Sequence, residues 1–281
     1  MDRVRIKFWG VRGSLAAPGR DTVRFGGNTA CMEIEYGRTR IICDAGTGIR
    51  PLGLDLVHRA GGRPIDATIL LSHVHWDHYL GLPFFRPFFE KKNRFVIAGP
   101  SVMGRSFGKL LRDVIRPPYM PITLADLGAR ISYRTVGKRA FKIGAVRVLP
   151  MPANHPDGAL GWRFDFPNGR SVVVMTDNEP LDAARDVALI EYIAGADALI
   201  HDAQYSPAEY GKKRGWGHSP FPYPVGLACA ARMRRVYLTH FDPESSDAEL
   251  MKARSAARRM IARRGSPVRC ELAREGLSFF L

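Results

Sequence analysis

Between Ser72 and His78 the chain reads Ser-His-Val-His-Trp-Asp-His, so four potential metal ligands, His73, His75, Asp77 and His78, fall within six positions. Imidazole and carboxylate donors without thiolate suit zinc best, with manganese or iron as other occupants. In an extended or turn conformation residues two apart point the same way. His73 and His75 can therefore bind one ion while Asp77 and His78 reach a second. Three of the chain's eight histidines lie in this stretch. A lone histidine is usually a satisfied core or surface residue, but a cluster of this density points to a metal site.

These residues need a strand end to converge on. The apolar, β-branched run 68–71 directly precedes them, and similar runs at 4–8, 40–43, 94–98, 145–149, 171–175, 198–200 and 235–239 also read as strands. The clearest helix covers 247–264. Ser246 and Glu249 form a capping box there, Leu250, Ala253, Ala257, Met260 and Ile261 make one apolar stripe, and Gly265 closes it. Two further helices are expected at about 224–233 and between 104 and 115, the latter before Arg116-Pro117-Pro118. With no Ser/Gly-rich linker and no solenoid repeat, the simplest architecture is one α/β domain over residues 1–281, two packed sheets covered by helices.

Composition excludes disorder, collagen and coiled coil, since 46% of the chain is hydrophobic and 25% charged. The net charge of +15 stands out. It favours anionic partners through long-range steering, or serves solubility alone. Cys31, Cys43, Cys229 and Cys270 show no CxxC spacing, so reduced, mostly buried thiols are expected. The alternating N-terminal pattern is a strand, not a signal peptide, and no stretch reaches the roughly 18 apolar residues of a membrane span. A cytoplasmic protein without membrane partners is the expectation.

The His-x-His-x-Asp-His pattern after a strand resembles the signature of the metallo-β-lactamase superfamily, and the rest of the chain is similar to its phosphodiesterase and ribonuclease Z branch. The resemblance implies an αββα four-layer sandwich. It also implies a further histidine, an acidic residue and a last histidine at later strand ends, for which His155, Asp177 and His240 stand in order. Each lies just beyond an expected strand, where strand ends converge. On this basis one ion belongs to His73, His75 and His155, a second to Asp77, His78 and His240, and Asp177 bridges them. Two such cations would hold a bridging hydroxide and stabilise charge developing on the scissile centre, which is hydrolase chemistry. His75 opposes a redox reading, because the di-iron relatives carry glutamate there.

Further residues follow the same resemblance. Asp44, in Asp44-Ala45-Gly46-Thr47-Gly48, is expected to orient the ligand loop without ligating. The Gly26-Gly27-Asn28-Thr29 turn resembles a segment near the site mouth, although paired glycines usually serve backbone conformation. His218, in Gly215-Trp216-Gly217-His218-Ser219, resembles the histidine that protonates the leaving alkoxide in ribonuclease Z and cyclic phosphodiesterases. An imidazole titrating near neutrality can supply that proton. Asp202 stands where the branch has glutamate, and its shorter reach leaves a contact with His218 open. Asp77, His218 and Asp202 are the candidate catalytic residues.

Ribonuclease Z carries a long arm for transfer RNA between its third histidine and its bridging aspartate. Here only 22 positions separate His155 from Asp177, enough for two strands and a Pro167-Asn168-Gly169 turn, so transfer RNA is disfavoured. The basic helix with Lys252, Arg254, Arg258, Arg259, Arg263 and Arg264 could still meet a phosphate backbone, or be a solvated face. Pro83-Phe84-Phe85-Arg86-Pro87-Phe88-Phe89 and Arg116 to Pro121 read as core packing, a homodimer contact, or a wall on which a base stacks with Arg86 or Arg116 pairing a phosphate. The leading expectation is a dinuclear phosphodiesterase of small or cyclic nucleotide-type substrates. A carboxylic ester, lactone or thioester hydrolase on the same metals and a non-catalytic metal-containing regulatory protein are the alternatives.

Overall fold

The computed structural model describes residues 2–281. Its first half begins with β1 (Arg5–Gly10), β2 (Cys31–Tyr36) and β3 (Thr39–Cys43), which pair antiparallel. After α1 (Ile49–Ala60) the chain enters β4 (Asp66–Leu70), the short α2 (Trp76–Tyr79), β5 (Arg94–Pro100), α3 (Phe107–Val114) and β6 (Arg130–Val136). From β3 to β6 all neighbours are parallel. The second half repeats this plan. β7 (Phe141–Ile143), β8 (Val146–Ala153), β9 (Ala159–Asp165) and β10 (Ser171–Met175) are antiparallel, and α4 (Ala183–Ile193), β11 (Ala198–Asp202), α5 (Pro207–Tyr210), α6 (Pro222–Ala230), β12 (Arg235–Thr239), α7 (Asp247–Arg263) and β13 (Arg269–Leu272) follow with parallel pairing. The last strand, β14 (Ser278–Phe280), returns to β1.

Two seven-stranded mixed sheets result, in the orders β14-β1-β2-β3-β4-β5-β6 and β13-β12-β11-β10-β9-β8-β7. Phe8, Ile34 and Leu70 of the first sheet and Trp162, Phe164 and Val172 of the second belong to one buried cluster. Leu52 and Leu56 of α1 and Leu111 of α3 cover the outer face of the first sheet with Phe85, Phe88 and Phe95. Leu189, Val225, Ala257 and Ile261 cover the second from α4, α6 and α7. The four-layer sandwich is therefore present, as expected.

All eight strand-like runs form strands. The runs at 171–175 and 235–239 coincide with strands residue for residue, and the other six are displaced or extended by one to four residues. The Ser246–Glu249 capping box is formed, with Glu249 N donating to Ser246 Oγ at 3.3 Å and Ser246 N donating to Glu249 Oε2 at 2.8 Å. α6 begins at Pro222, two residues earlier than the pattern suggests, and α3 is confined to Phe107–Val114. All four cysteines are free, and Cys229 is the one not fully buried. No helix among the described residues is long and apolar enough to cross a membrane.

A charged network fastens α1 to the sheet. Glu33, fully buried on β2, and its neighbour Glu35 receive Arg5 from β1, Arg40 from β3 and Arg59 from α1 at 2.5–3.2 Å. Burial would raise the Glu35 pKa, but hydrogen bonds from Arg40, Arg5 and Arg59 outweigh it and hold the carboxyl at about 2. A depressed folded-state pKa contributes stability above the unfolded value near 4.5 that is lost as pH falls toward 2. Glu35→Gln should accordingly destabilise the fold at neutral pH, with the difference from wild type shrinking between pH 4.5 and 2. Urea denaturation at a series of pH values checks this, and a pH-independent difference would contradict it.

Candidate metal centre

The strands that carry the candidate ligands all point the same way. β8 and β10 are each antiparallel to β9, and β10, β11 and β12 are mutually parallel, so His155, Asp177, Asp202 and His240 follow strand ends on one edge. His73 and Asp44 do the same for β4 and β3. Asp44, Asp177 and His240 take positive φ values of 59°, 54° and 57°, which turn their side chains out of the strand path. Non-glycine residues in this region carry a backbone cost and concentrate at functional sites.

The structure brings all seven candidate ligands together. His73, His75 and His155 form one group, Asp77, His78 and His240 another, and Asp177 lies between. Asp177 Oδ2 is 3.6 Å from His73 Nε2, 3.8 Å from His155 Nε2 and 3.2 Å from His78 Nε2, while Oδ1 is 3.1 Å from His240 Nε2. His155 Nε2 meets His75 Nδ1 at 3.1 Å. In the second group His78 and His240 approach through Nε2 at 3.2 Å, and each is 3.1 Å from Asp77 Oδ2.

Outer contacts fix which nitrogens face inward. Nδ1 of His78 donates to Ser72 Oγ at 3.2 Å and lies 3.1 Å from Asp44 Oδ2, Nδ1 of His240 donates to Gln204 Oε1 at 3.1 Å, and Nδ1 of His155 to the Gly217 carbonyl at 2.9 Å. Each ring therefore directs an Nε2 lone pair toward its neighbours. Ser72 Oγ donates to Asp44 at 3.0 Å and accepts from His73 Nδ1 at 3.0 Å, extending the same device to a fourth ring. Lone pairs facing one another and two carboxylates at these distances need positive charge among them. His73 Nε2 and Asp177 Oδ1 are buried without a hydrogen-bond partner, as ligand atoms of a cation site would be. The residues present fit two metal ions.

Electrostatics agree. Burial alone would raise the Asp177 pKa, yet His240 and His78 hold it well below the usual carboxylate range; Asp77 is held down likewise, chiefly by His78. Burial pushes the His73 imidazole well below its ordinary pKa, which keeps it neutral and able to ligate. For His78 burial is overcome by Asp177, Asp77 and Asp44, which drive the pKa well up, so the cavity strongly attracts positive charge. Of the seven, His75 is the exposed one, its side chain 43% accessible. The centre opens on that side.

His218 also reaches this cluster. Its Nδ1 lies 3.5 Å from Asp202 Oδ2 and 3.9 Å from Asp177 Oδ2, and its ring stacks on His240 with centroids 5.2 Å apart. With His155 and Asp177 it is close enough to form a further group of potential ligands. The contact between Asp202 and His218 left open by the shorter side chain is thus made, at 3.5 Å. Asp202 is fully buried; its carboxylate accepts Ser219 N at 2.9 Å, and its backbone carbonyl accepts His201 Nδ1 at 2.8 Å. Burial pushes its carboxyl up, but the adjacent His201 and His218 imidazoles bring it below its ordinary pKa.

Several supporting residues carry no signal in the sequence pattern. Glu179 accepts Gly215 N and Gly217 N at 2.8 Å each, clamping the loop that presents His218. Gly217 has φ of +84°, and a Cβ there would lie 2.1 Å from His155 Nδ1, so only glycine permits this approach. Ser14 N donates to Asp77 Oδ2 at 2.8 Å, and Ser14 Oγ accepts from Gln204 Nε2 at 3.1 Å. Arg12, fully buried, reaches the carbonyls of Gly26, Asp242 and Ser245 and gathers the loops around His240. The Gly26–Thr29 turn is a packing element whose Asn28 and Thr29 bond Glu275 and Thr47.

The Beta-lactamase superfamily domain profile matches residues 39–241, which include all seven candidate ligands and His218. The chain belongs to the beta-lactamase superfamily. A superfamily relative named ribonuclease Z, from Thermoplasma acidophilum, is 31% identical over 88% of this chain and 89% of its own. The chain spans 66% of the length of an uncharacterized protein of Mycobacterium leprae that is 26% identical. Among solved structures, the metallo-beta-lactamase fold protein YhfI of Bacillus subtilis superposes with a TM-score of 0.73 at 16% identity, covering both chains fully. A diphosphatase of the PhnP family gives 0.69 at 19% identity over 99% of this chain and 97% of that one.

Metal titration followed by elemental analysis should find two ions per chain. Asp177→Ala should weaken both sites and His155→Ala mainly the first. Asp44→Asn, which leaves the ligands in place, should lower affinity about 10- to 100-fold. Saturation at one ion would contradict the dinuclear assignment.

Proposed function

We propose that this protein is a dinuclear phosphodiesterase of small, nucleotide-type phosphodiesters, cyclic ones included, with zinc as the metal that the nitrogen and oxygen donors favour. The observation that carries the reading is His218, held against Asp202 at the rim of a two-ion cluster. Hydrolysis of a phosphodiester has two demands: positive charge facing the phosphoryl oxygens and a proton for the leaving alkoxide. Two divalent cations, which His73, His75, Asp77, His78, His155, Asp177 and His240 would hold, would supply the first and lower the pKa of water.

The chain's own residues supply the second. Asp202 Oδ2, 3.5 Å from His218 Nδ1, is placed to orient that imidazole as the proton donor. Glu179, through the backbone of Gly215 and Gly217, fixes the loop on which that imidazole sits. Asp77, whose Oδ2 accepts Ser14 N at 2.8 Å, would help hold the second ion. A ribonuclease and a diphosphatase among the relatives support phosphate ester chemistry. Between His155 and Asp177 the chain forms only β9, a turn and β10, so transfer RNA lacks the expected arm and a small substrate is favoured.

His218→Ala should keep both metals and the fold. Its rate on diesters with alkoxide leaving groups should fall about 10²- to 10⁴-fold and much less with p-nitrophenolate, which departs unaided. A leaving-group series beside metal analysis checks this. Equal losses would make His218 a positioning residue, lost metal would make it a ligand, and faster turnover of p-nitrophenyl acetate than of any diester would favour the carboxylic ester alternative. The +15 charge yields a second expectation. Raising salt should lower kcat/KM for an anionic diester and leave kcat nearly unchanged, because screening acts on encounter. A salt-independent kcat/KM would remove steering from the account.

A further inference from the structure

The metal centre opens at His75, and the next residue, Trp76, is 74% exposed. From there a groove of about 590 Å³ runs between α2 and the segment after α3. It is lined by Tyr79 and Ile115, both buried, and by Trp76, Phe84 and Tyr119, the last 75% exposed. Of the phenylalanine-rich segment, Phe85 and Phe88 pack edge-on with Phe95 in the core, whereas Phe84 is left to the groove. Arg86 is exposed and does not line it, but Arg116 does. The one acid there, Asp113, is already paired with Arg105.

Three large aromatic faces left in water beside a catalytic centre cost solvation unless something planar covers them. Aromatic platforms next to a cation are how nucleic-acid bases are held without sequence readout. We infer that this groove seats the base of the substrate, so that Trp76, Phe84 and Tyr119 select nucleotide-type diesters over diesters that lack a base. This rests on the phosphodiesterase reading and adds its specificity. Trp76, which lines the groove, follows the accessible candidate ligand His75 directly in the chain, so the groove begins one residue from the candidate centre, and Arg116 adds positive charge for an anionic ligand.

The test compares kcat/KM for adenosine 2′,3′-cyclic phosphate and for the methyl riboside 2′,3′-cyclic phosphate, which shares its leaving group but has no base. Metal-loaded full chain is used, as wild type, Tyr119→Ala, Phe84→Ala and Trp76→Ala, with metal content measured in each. The wild-type ratio should favour the base-bearing diester. It should fall about tenfold in the alanine variants, chiefly through KM, and be restored by Tyr119→Phe, in keeping with the cost of removing a stacked aromatic. The dissociation constant of adenosine 5′-monophosphate, measured by equilibrium dialysis, should rise by a similar factor. An unchanged ratio with unchanged binding overturns the inference. So does a dimer that becomes monomeric in Tyr119→Ala while both substrates suffer alike, because the groove would then be a contact between two copies of the chain. If neither diester is cleaved the phosphodiesterase reading falls, and the binding measurement alone decides the groove.

Discussion

One buried carboxylate organises this molecule. Asp177 sits in full burial with five imidazoles within 4 Å, and it is stable as an anion only because positive charge surrounds it. Everything nearby serves that arrangement. Parallel strands deliver the candidate ligands to one edge, left-handed backbone at Asp177 and His240 aims them inward, and a ring of acceptors at Ser72, Gln204 and Gly217 fixes the direction of each lone pair. A site of this charge density folded into a protein interior would be costly without cations, so stability and metal binding are linked through the same residues.

The centre was legible because its chemistry is local. His73, His75, Asp77 and His78 stand in one short run after an obvious strand, and a two-residue spacing already divides them between two ions. His155, Asp177 and His240 are scattered over 86 positions and become a set only through family resemblance. The strands were readable wherever they are buried on both faces, as with Val172, Val173 and Val174 of β10. By contrast α1 is concealed by Pro51 and Gly53. Gly53 is retained because a Cβ there would come 2.8 Å from Phe85, so packing overrides helix propensity.

The residues that escaped sequence reading act through their backbones or on backbones. Glu179 is an ordinary acid in a turn until its carboxylate is seen to hold two amides of the His218 loop. Arg12 is one of many arginines in a basic chain until its burial against three carbonyls shows a clamp. Such roles have no periodicity and no spacing rule, since they are set by tertiary approach. The basic face of α7 illustrates the converse: Arg254 and Arg258 are spent on Glu271 of β13, which leaves fewer of its charges for an external phosphate backbone.

The central claim is that two cations share Asp177, with His218 outside both coordination spheres. Anomalous scattering from crystals of the metal-loaded protein tests it most directly. The account predicts two anomalous peaks flanking Asp177. One is bound by Nε2 of His73 and His155 with Nδ1 of His75, the other by Asp77 with Nε2 of His78 and His240. A single peak, or a peak ligated by His218, would contradict it.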